Sequence, residues 1–331
     1  MMKISSKKIQ LLIGAVIVAL SAVVLISVNT AGSNQPKDVT LVTHDSFVMS
    51  TSLINEFDRQ SGYNLKVISS GDAGTMTNRL ILTKGAPIAD AVFGIDNTLS
   101  GEAYAHSLIA GSLTATDFGD VCFNYDKFWF TAHKIPAPSS INDLTKPSYK
   151  GLTVIENPAT SSTGLSFLAA TVEKFGENGW QNYWKSLKTN NVKVDDGWEA
   201  AYYTDFSGSS GKGAYPVVLS YGTSPADEVR TNGQSQTASI LDGCFRQTEY
   251  AGVLQGAHNP AGAKALITFL LSSDFQKTFP TTMYMYPIVN GTPIPSDWVK
   301  YTQTAAKTYG DHLDFNKNRS SWLTQWAAIF G

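Results

Sequence analysis

Apolar and polar positions along this chain follow two periods. Val39 to Thr43, Tyr63 to Ser69 and Asp90 to Asn97 are short apolar runs of strand length. Between them Leu53, Ile54 and Phe57, and then Met76, Leu80, Ile81 and Leu82, recur at the three-and-four spacing of a helical face. Gly62 stops the first helix. Strands alternating with helices predict a doubly wound sheet. In such a sheet the loop His44-Asp45-Ser46-Phe47, the loop Gly71-Asp72-Ala73-Gly74 and the tip at Asp96 converge on one edge.

Two later segments share one grammar, an apolar strand that breaks into small hydroxyl residues. Thr153-Val154-Ile155 runs into Glu156-Asn157-Pro158-Ala159-Thr160-Ser161-Ser162-Thr163-Gly164, followed by a helical face at Leu165, Leu168, Val172 and Phe175. A helix starting there exposes unsatisfied N–H groups and a positive dipole end that suit an anion such as phosphate, and the same residues also serve ordinary capping. Val217 to Tyr221 runs into Gly222-Thr223-Ser224-Pro225-Ala226-Asp227. Here Thr223 and Ser224 are placed to cap a helix with Pro225 in its first turn, leaving Tyr221 and Gly222 at the strand end.

The rest of the pattern divides the chain. Phe118 to Tyr125 is strand-like, and Pro136, Pro138 and Pro147 mark a crossing into a second domain. That domain carries a helix with Trp180, Tyr183 and Trp184, the segment Asp195-Asp196-Gly197-Trp198, and Ser207 to Gly213, mobile by its composition. Ala238 to Val253 is a long strand, and Asn259-Pro260 starts a helix through Ile267, Leu270, Leu271 and Phe275. Met283-Tyr284-Met285-Tyr286-Pro287 and a last helix with Trp322 and Trp326 follow.

Composition narrows the function. The 331 residues suggest two domains, and 25 basic against 27 acidic residues leave no footprint for nucleic acid. The 14 Tyr, 7 Trp and 16 Phe are enough to line a cleft as well as a core. Lys3, Lys7 and Lys8 before an uncharged apolar run from Leu11 to Val28 form an export signal, either cleaved near Ala31 to Ser33 or kept as an anchor. The positive flank puts the bulk of the chain outside the cytoplasm. In that compartment the only two cysteines, Cys122 and Cys244, are expected to form a disulfide where the chain changes domain, the alternative being two buried thiols.

These residues resemble the thiamine-binding periplasmic proteins of ABC importers, within the type II solute-binding proteins. The resemblance runs through His44-Asp45-Ser46-Phe47, Asp90 to Leu99, Asn124 to Lys127, Asn157 to Leu165, Gly197-Trp198 with Ala201-Tyr202, Leu219 to Ala226, Phe275-Gln276 and Met285-Tyr286-Pro287. It implies an α/β, two-lobed fold, each lobe a mixed sheet flanked by helices with the ligand in the cleft between. The expected division is 1–37 for signal or anchor and linker, 38–121 plus 245–331 for one lobe, and 122–244 for the other. It also implies a monomer that captures thiamine or its phosphates and delivers it to a membrane permease. Trp198 and Tyr221 match the pair that sandwiches the ligand's rings, Asp72 a carboxylate on the pyrimidine side, and Ser161, Ser162, Thr163 and Gly164 the phosphate subsite. The chain departs from the family's pattern at His44, Tyr284 and Asp227.

Residue chemistry points the same way. A thiazolium cation suits aromatic faces with nearby carboxylate, which Trp198, Tyr221, Tyr284, Asp72 and Asp96 supply, with Gly222 allowing close approach. The rival reading is a ferric-ion carrier using Tyr202-Tyr203 and His44, or another small-solute carrier of the same fold. His44, His106, His133, His258 and His312 show no metal spacing. No Gly-x-Ser-x-Gly elbow, Walker loop or Cys-x-x-Cys pair is present, so neither an enzyme nor a cofactor is expected.

Overall fold

A computed structural model describes residues 37–331; the expected export signal lies outside them. β1 (Asp38–Thr43), β2 (Asn64–Ser69) and β3 (Ala91–Asp96) run parallel in the spatial order β2-β1-β3. They are joined by α1 (Thr51–Ser61) and α2 (Ala73–Thr83), with α3 (Ser100–Ala105) following β3. Local chemistry sets these boundaries. The Ser50 hydroxyl accepts the Leu53 N–H to start α1, and Gly62 ends it at φ 75°, a left-handed turn that costs glycine little. Asp72 caps α2, so the glycine-flanked loop expected at 71–74 is already helix from Ala73 onward.

Two long strands carry the rest of the sheet. β4 (Thr114–Asp126) pairs antiparallel with β8 (Thr237–Val253), and β3 continues the sheet on β8. On the other side of β4 lie β7 (Val217–Tyr221), β5 (Thr153–Glu156) and β6 (Lys193–Asp195), with β9 (Tyr286–Pro287) paired near the start of β4. The helices are α4 (Lys127–His133), α5 (Ser162–Phe175), α6 (Trp180–Thr189), α7 (Pro260–Leu270), α8 (Ser273–Gln276), α9 (Phe279–Thr282), α10 (Ser296–Val299) and α11 (Phe315–Phe330).

Register shows where the strands point. β3 runs from the Val253 end of β8 to Glu249, and β7 runs from the Tyr125 end of β4 to Val121. Because Asp117 pairs with Glu249 and Val121 with Phe245, the two sets of strands approach the middle of the β4–β8 pair from opposite directions. Their carboxyl ends therefore face each other, the position where open α/β sheets take ligands. Cys122 and Cys244 are disulfide-bonded at this middle, with Cα atoms 4.6 Å apart, beside a register slip between Val121 and Phe123.

The core forms on both faces. Phe123, Phe167, Trp180, Trp184 and Trp326 are buried in one cluster, and Val39, Leu41, Phe57, Phe93 and Phe269 in another. Each buried aromatic of this size removes ~150 to 250 Å² from water. Two expectations change here. Ser224–Ala226 is a single 3-10 turn, with no helix after β7 and no cap by the Thr223 side chain. The segment 207–213 is tied down: Ser207 Oγ donates to Asp126, Ser209 is buried with its hydroxyl donating to Phe206 and Tyr202, and the Gly213 N–H donates to Phe206. Composition favoured mobility, but small residues also permit such close packing. The last helix, α11, touches both α6 and α3. Trp326 meets Trp184 of α6 edge-on at 5.8 Å, while Arg319 pairs with Glu102 of α3.

Candidate functional site

Between the facing strand ends is a cavity of about 70 Å³, with walls from both sides. His44, Ser46 and Val48 follow β1; Trp198, Glu199 and Tyr203 follow β6; Tyr221 ends β7; Glu249 comes from β8; and Thr282 ends α9, with Met283 to Met285 after it. None of these residues is Lys or Arg.

The aromatic wall is held by its neighbours. Trp198 stacks on Tyr202 with ring centroids 4.8 Å apart and planes at 13°, and its indole N–H donates to Ser220 Oγ at 2.9 Å. Tyr221 lies 6.3 Å from Trp198 and donates its hydroxyl to Gln247 at 2.6 Å. Tyr284 adopts φ 56°, uncommon for a bulky residue. Its hydroxyl is bonded to Asp227 and Tyr203; burial and Asp227 raise its pKa, and burial with Asp227 pushes Tyr203 up to about 12. The lining rings Trp198, Tyr203, Tyr221 and Tyr284 stay neutral near pH 7, and neutral aromatic rings suit a cation.

The same cavity holds acid. Glu249 sits 3.4 Å from His44 Nε2, while His44 Nδ1 meets Ser46 Oγ at 2.9 Å. Burial opposes a charge on His44, yet Glu249, Asp72 and Asp45 together raise its pKa. Burial also raises Glu199, with help from Asp45. The arrangement favours positive charge and disfavours negative charge.

Asp72 lies behind Trp198. Oδ1 accepts the Ala73 and Ser162 N–H groups at 2.6 and 3.0 Å, and Oδ2 accepts the Trp198 N–H at 3.0 Å. One carboxylate thus joins the starts of α2 and α5 to the Trp198 backbone. Burial raises its pKa, although these N–H groups pull the other way. The approach is tight: a Cβ on Gly74 would lie 2.6 Å from the Thr160 carbonyl oxygen, and one on Gly197 would lie 3.2 Å from the Asp72 Cβ.

The expected site residues therefore divide. His44, Trp198, Tyr221 and Tyr284 come together at the cavity. Asp72 and Ser161 to Gly164 meet just behind it: the Ser161 hydroxyl caps α5, Thr163 donates to Glu156, and Gly164 packs against the Glu156 carbonyl. Three residues do not face it. Asp96 is fully buried, accepting from Thr98, Leu99 and Gln247. Tyr202 is fully buried behind Trp198, with its hydroxyl on Glu228. Gly222 abuts Gln303, whose carbonyl oxygen would lie 2.4 Å from a Cβ there. The cavity also takes Tyr203, which the sequence offers only as an iron ligand, and Glu249, Glu199, Met283 and Met285, which it does not single out. A signal existed for Glu249, since Gln247 and Glu249 put two polar groups on the face that Phe245, Ala251 and Val253 share.

A wider opening of about 590 Å³ lies elsewhere, by Phe128, Trp129, His133 and Arg230. Its Asp126 is already committed to Ser207 and Gln236, and Arg230 covers Phe128. It lies at the Asp126 end of β4, away from the facing ends of β3 and β7.

A mixed α/β sheet with a cavity at the meeting of its strand ends has the architecture of type II periplasmic binding proteins. The chain belongs to the bacterial extracellular solute-binding protein family, whose model matches residues 95–303. It is 28% identical over 307 residues to the thiamine-binding periplasmic protein of Escherichia coli, covering 87% of this chain and 92% of that one. A solved periplasmic thiamin binding protein superposes with a TM-score of 0.77 at 24% identity, covering 91% and 98% of the two chains. The apo ferric ion-binding protein of Pasteurella haemolytica superposes at 0.69 with 15% identity, covering 89% and 98%.

Proposed function

We propose that this chain is an extracytoplasmic solute-binding protein that captures thiamine, or a thiamine phosphate, between two lobes and delivers it to the permease of an ABC importer. One observation carries this reading: a cavity walled by Trp198, Tyr203, Tyr221 and Tyr284 that contains Glu199 and Glu249 but no basic side chain except His44. Aromatic faces contribute about 0.5 to 2 kcal/mol to holding a desolvated cation, and buried carboxylate adds to it. The thiamine-binding names of the relatives support the same ligand.

The cavity is smaller than the ~300 to 1,000 Å³ of most small-molecule sites, so a two-ring ligand requires the walls to separate. The lobes we propose are 38–121 with 245–331, and 122–244, rotating about β4 and β8 beside the disulfide. The chain acts as a carrier without catalysis or a cofactor, outside the cytoplasm. A ferric-ion carrier is less well supported. The Tyr202 hydroxyl is buried on Glu228, whereas Tyr203 lines the cavity with its hydroxyl bonded to Tyr284, so the two hydroxyls have different partners. Mass spectrometry of ligand released from protein purified without added vitamin, with an absorbance spectrum for iron, tests both. Thiamine or a phosphate of it is the expected species; a tyrosine-to-iron charge-transfer band with no vitamin overturns the reading.

A further inference from the structure

The fold makes room for an imidazole in the wall of the cavity. β3 bulges between Phe93 and Ile95, where Gly94 adopts φ 94°, and a Cβ on that glycine would lie 2.0 Å from His44 Cδ2. His44 is buried there with Nδ1 on Ser46 Oγ. Its Nε2 meets Glu249 at 3.4 Å and makes no hydrogen bond among the described residues. The titratable groups that face the ring are Glu249 from β8, Asp72 from the start of α2, Glu199 after β6 and Asp45 beside it, every one an acid. Asp117 is the cross-strand partner of Glu249 behind them, and the rings of Tyr203, Tyr221 and Tyr284 share the cavity. Burial opposes a charge on His44, yet Glu249, Asp72 and Asp45 hold its pKa above the ordinary 6.5. At about pH 6.5, then, most of the unliganded protein carries an imidazolium beside Glu249.

We propose that a bound cation replaces the one that His44 carries: capture expels the His44 proton to solvent, which makes His44 the residue that ties affinity to the ligand's positive charge and to pH. The inference rests on the thiamine reading for the ligand's charge and adds the residue that senses it. A thiazolium charge is permanent and an imidazolium charge is not, so when both enter one cavity like charge removes the one that can be lost. Glu249 then faces the ligand in place of the imidazolium. By reciprocity a proton weakens the ligand as much as the ligand weakens the proton. A neutral analogue would leave the His44 proton where it is.

Calorimetry of thiamine binding to the full-length protein, repeated in buffers of different ionisation heat, counts the protons. A nearby like charge that lowers the His44 midpoint by about one to two pH units should drive out about 0.5 to 0.8 proton per ligand at the pH of greatest release. Affinity should fall at least about ten-fold as the pH drops from above the free His44 midpoint to below the bound one. His44→Gln should release almost no proton and flatten that profile. Release persisting in the folded variant assigns the proton to Glu199 or Asp72 and overturns the proposal. Histidine NMR on the wild type decides the matter without the variant. Of the five imidazoles, one should titrate above 6.5 in the free protein and at least about one unit lower with thiamine, whereas five unmoved midpoints overturn the proposal. If thiamine does not bind the wild type, the thiamine reading fails by itself, and tetramethylammonium becomes the probe on the same signals. A lowered midpoint then supports the role of His44, and an unmoved one overturns it.

Discussion

The two junctions at Ile155 to Leu165 and Leu219 to Asp227 read alike and fold differently. Each is a buried strand running into hydroxyl residues, yet the first opens the fourteen residues of α5 and the second makes one 3-10 turn. At the first, Leu165, Leu168 and their neighbours supply an apolar face, and Asp72 arrives from α2 to satisfy the first turn. At the second, Ser224 Oγ turns back to Ser220 Oγ and the Tyr221 N–H, so the hydroxyl closes its own turn. At the first junction Ser161 and Thr163, and at the second Ser224, spend their hydroxyls on protein groups, whereas the Thr223 hydroxyl is buried without a hydrogen-bond partner among the described residues. What reaches the cavity is the aromatic residue beside each junction, Trp198 at the first and Tyr221 at the second.

The largest effect expected is on the first junction. Asp72→Ala removes the acceptor for three N–H groups, one shared with the start of α5, and should cost about 4 kcal/mol in chemical denaturation, given ~1.5 to 3 kcal/mol for each bond to a charged group less the cost of burying the charge. A loss under about 1 kcal/mol would mean that α5 starts without its help. Next comes the aromatic wall. Trp198→Ala should lose about 2 kcal/mol of thiamine binding by calorimetry, the magnitude of a stacked cation partner. Unchanged affinity would separate Trp198 from the ligand and leave it as packing for Tyr202.

How much of this was legible follows from which interactions are local. The strands, the α5 face and the caps at Ser161 and Asn259 were readable because a helix start or a strand period is written within a few residues. The disulfide was readable because only two cysteines exist. Misreadings arose where a partner lies far away in sequence. Asp96 looked like a ligand carboxylate, but Gln247, 151 residues on, takes it into the core. Gly222 looked like room for a ligand, whereas it is room for the backbone at Gln303. Glu249 was passed over because its partner His44 is set by the β3–β8 pairing, which periodicity does not reveal.

A third effect concerns the Asp96 that ties the first half of the sheet to Tyr221 through Gln247. Burial pushes its pKa up to about 7, against the opposing bonds from Thr98 and Gln247. Its unfolded value is near 3.9, so between about pH 4 and 7 the folded state holds the extra proton and stability falls as pH rises. The slope is at most about 1.4 kcal/mol per pH unit for one group. Asp96→Asn should flatten the stability profile in that window; an unaltered profile would place the titration on another group.

The smallest effect separates the two junctions most directly. Ser161→Ala removes the cap on the Gly164 N–H, a long bond at 3.5 Å, so about 0.5 to 1 kcal/mol of stability should go, with thiamine affinity unchanged. Ser224→Ala removes a bond of similar worth to the Tyr221 N–H, but its consequence differs. Ser224 Oγ lies 2.8 Å from Ser220 Oγ, and Ser220 Oγ holds the Trp198 indole N–H. Loss of Ser224 leaves Ser220 free to turn its hydroxyl and loosens the ring that faces the cation. The two variants should therefore lose comparable stability by denaturation while only Ser224→Ala loses thiamine affinity, by about two- to five-fold, the effect of under 1 kcal/mol. If Ser161→Ala weakens free thiamine equally, the first junction reaches the ligand as directly as the second, and the hydroxyls there do more than hold the fold.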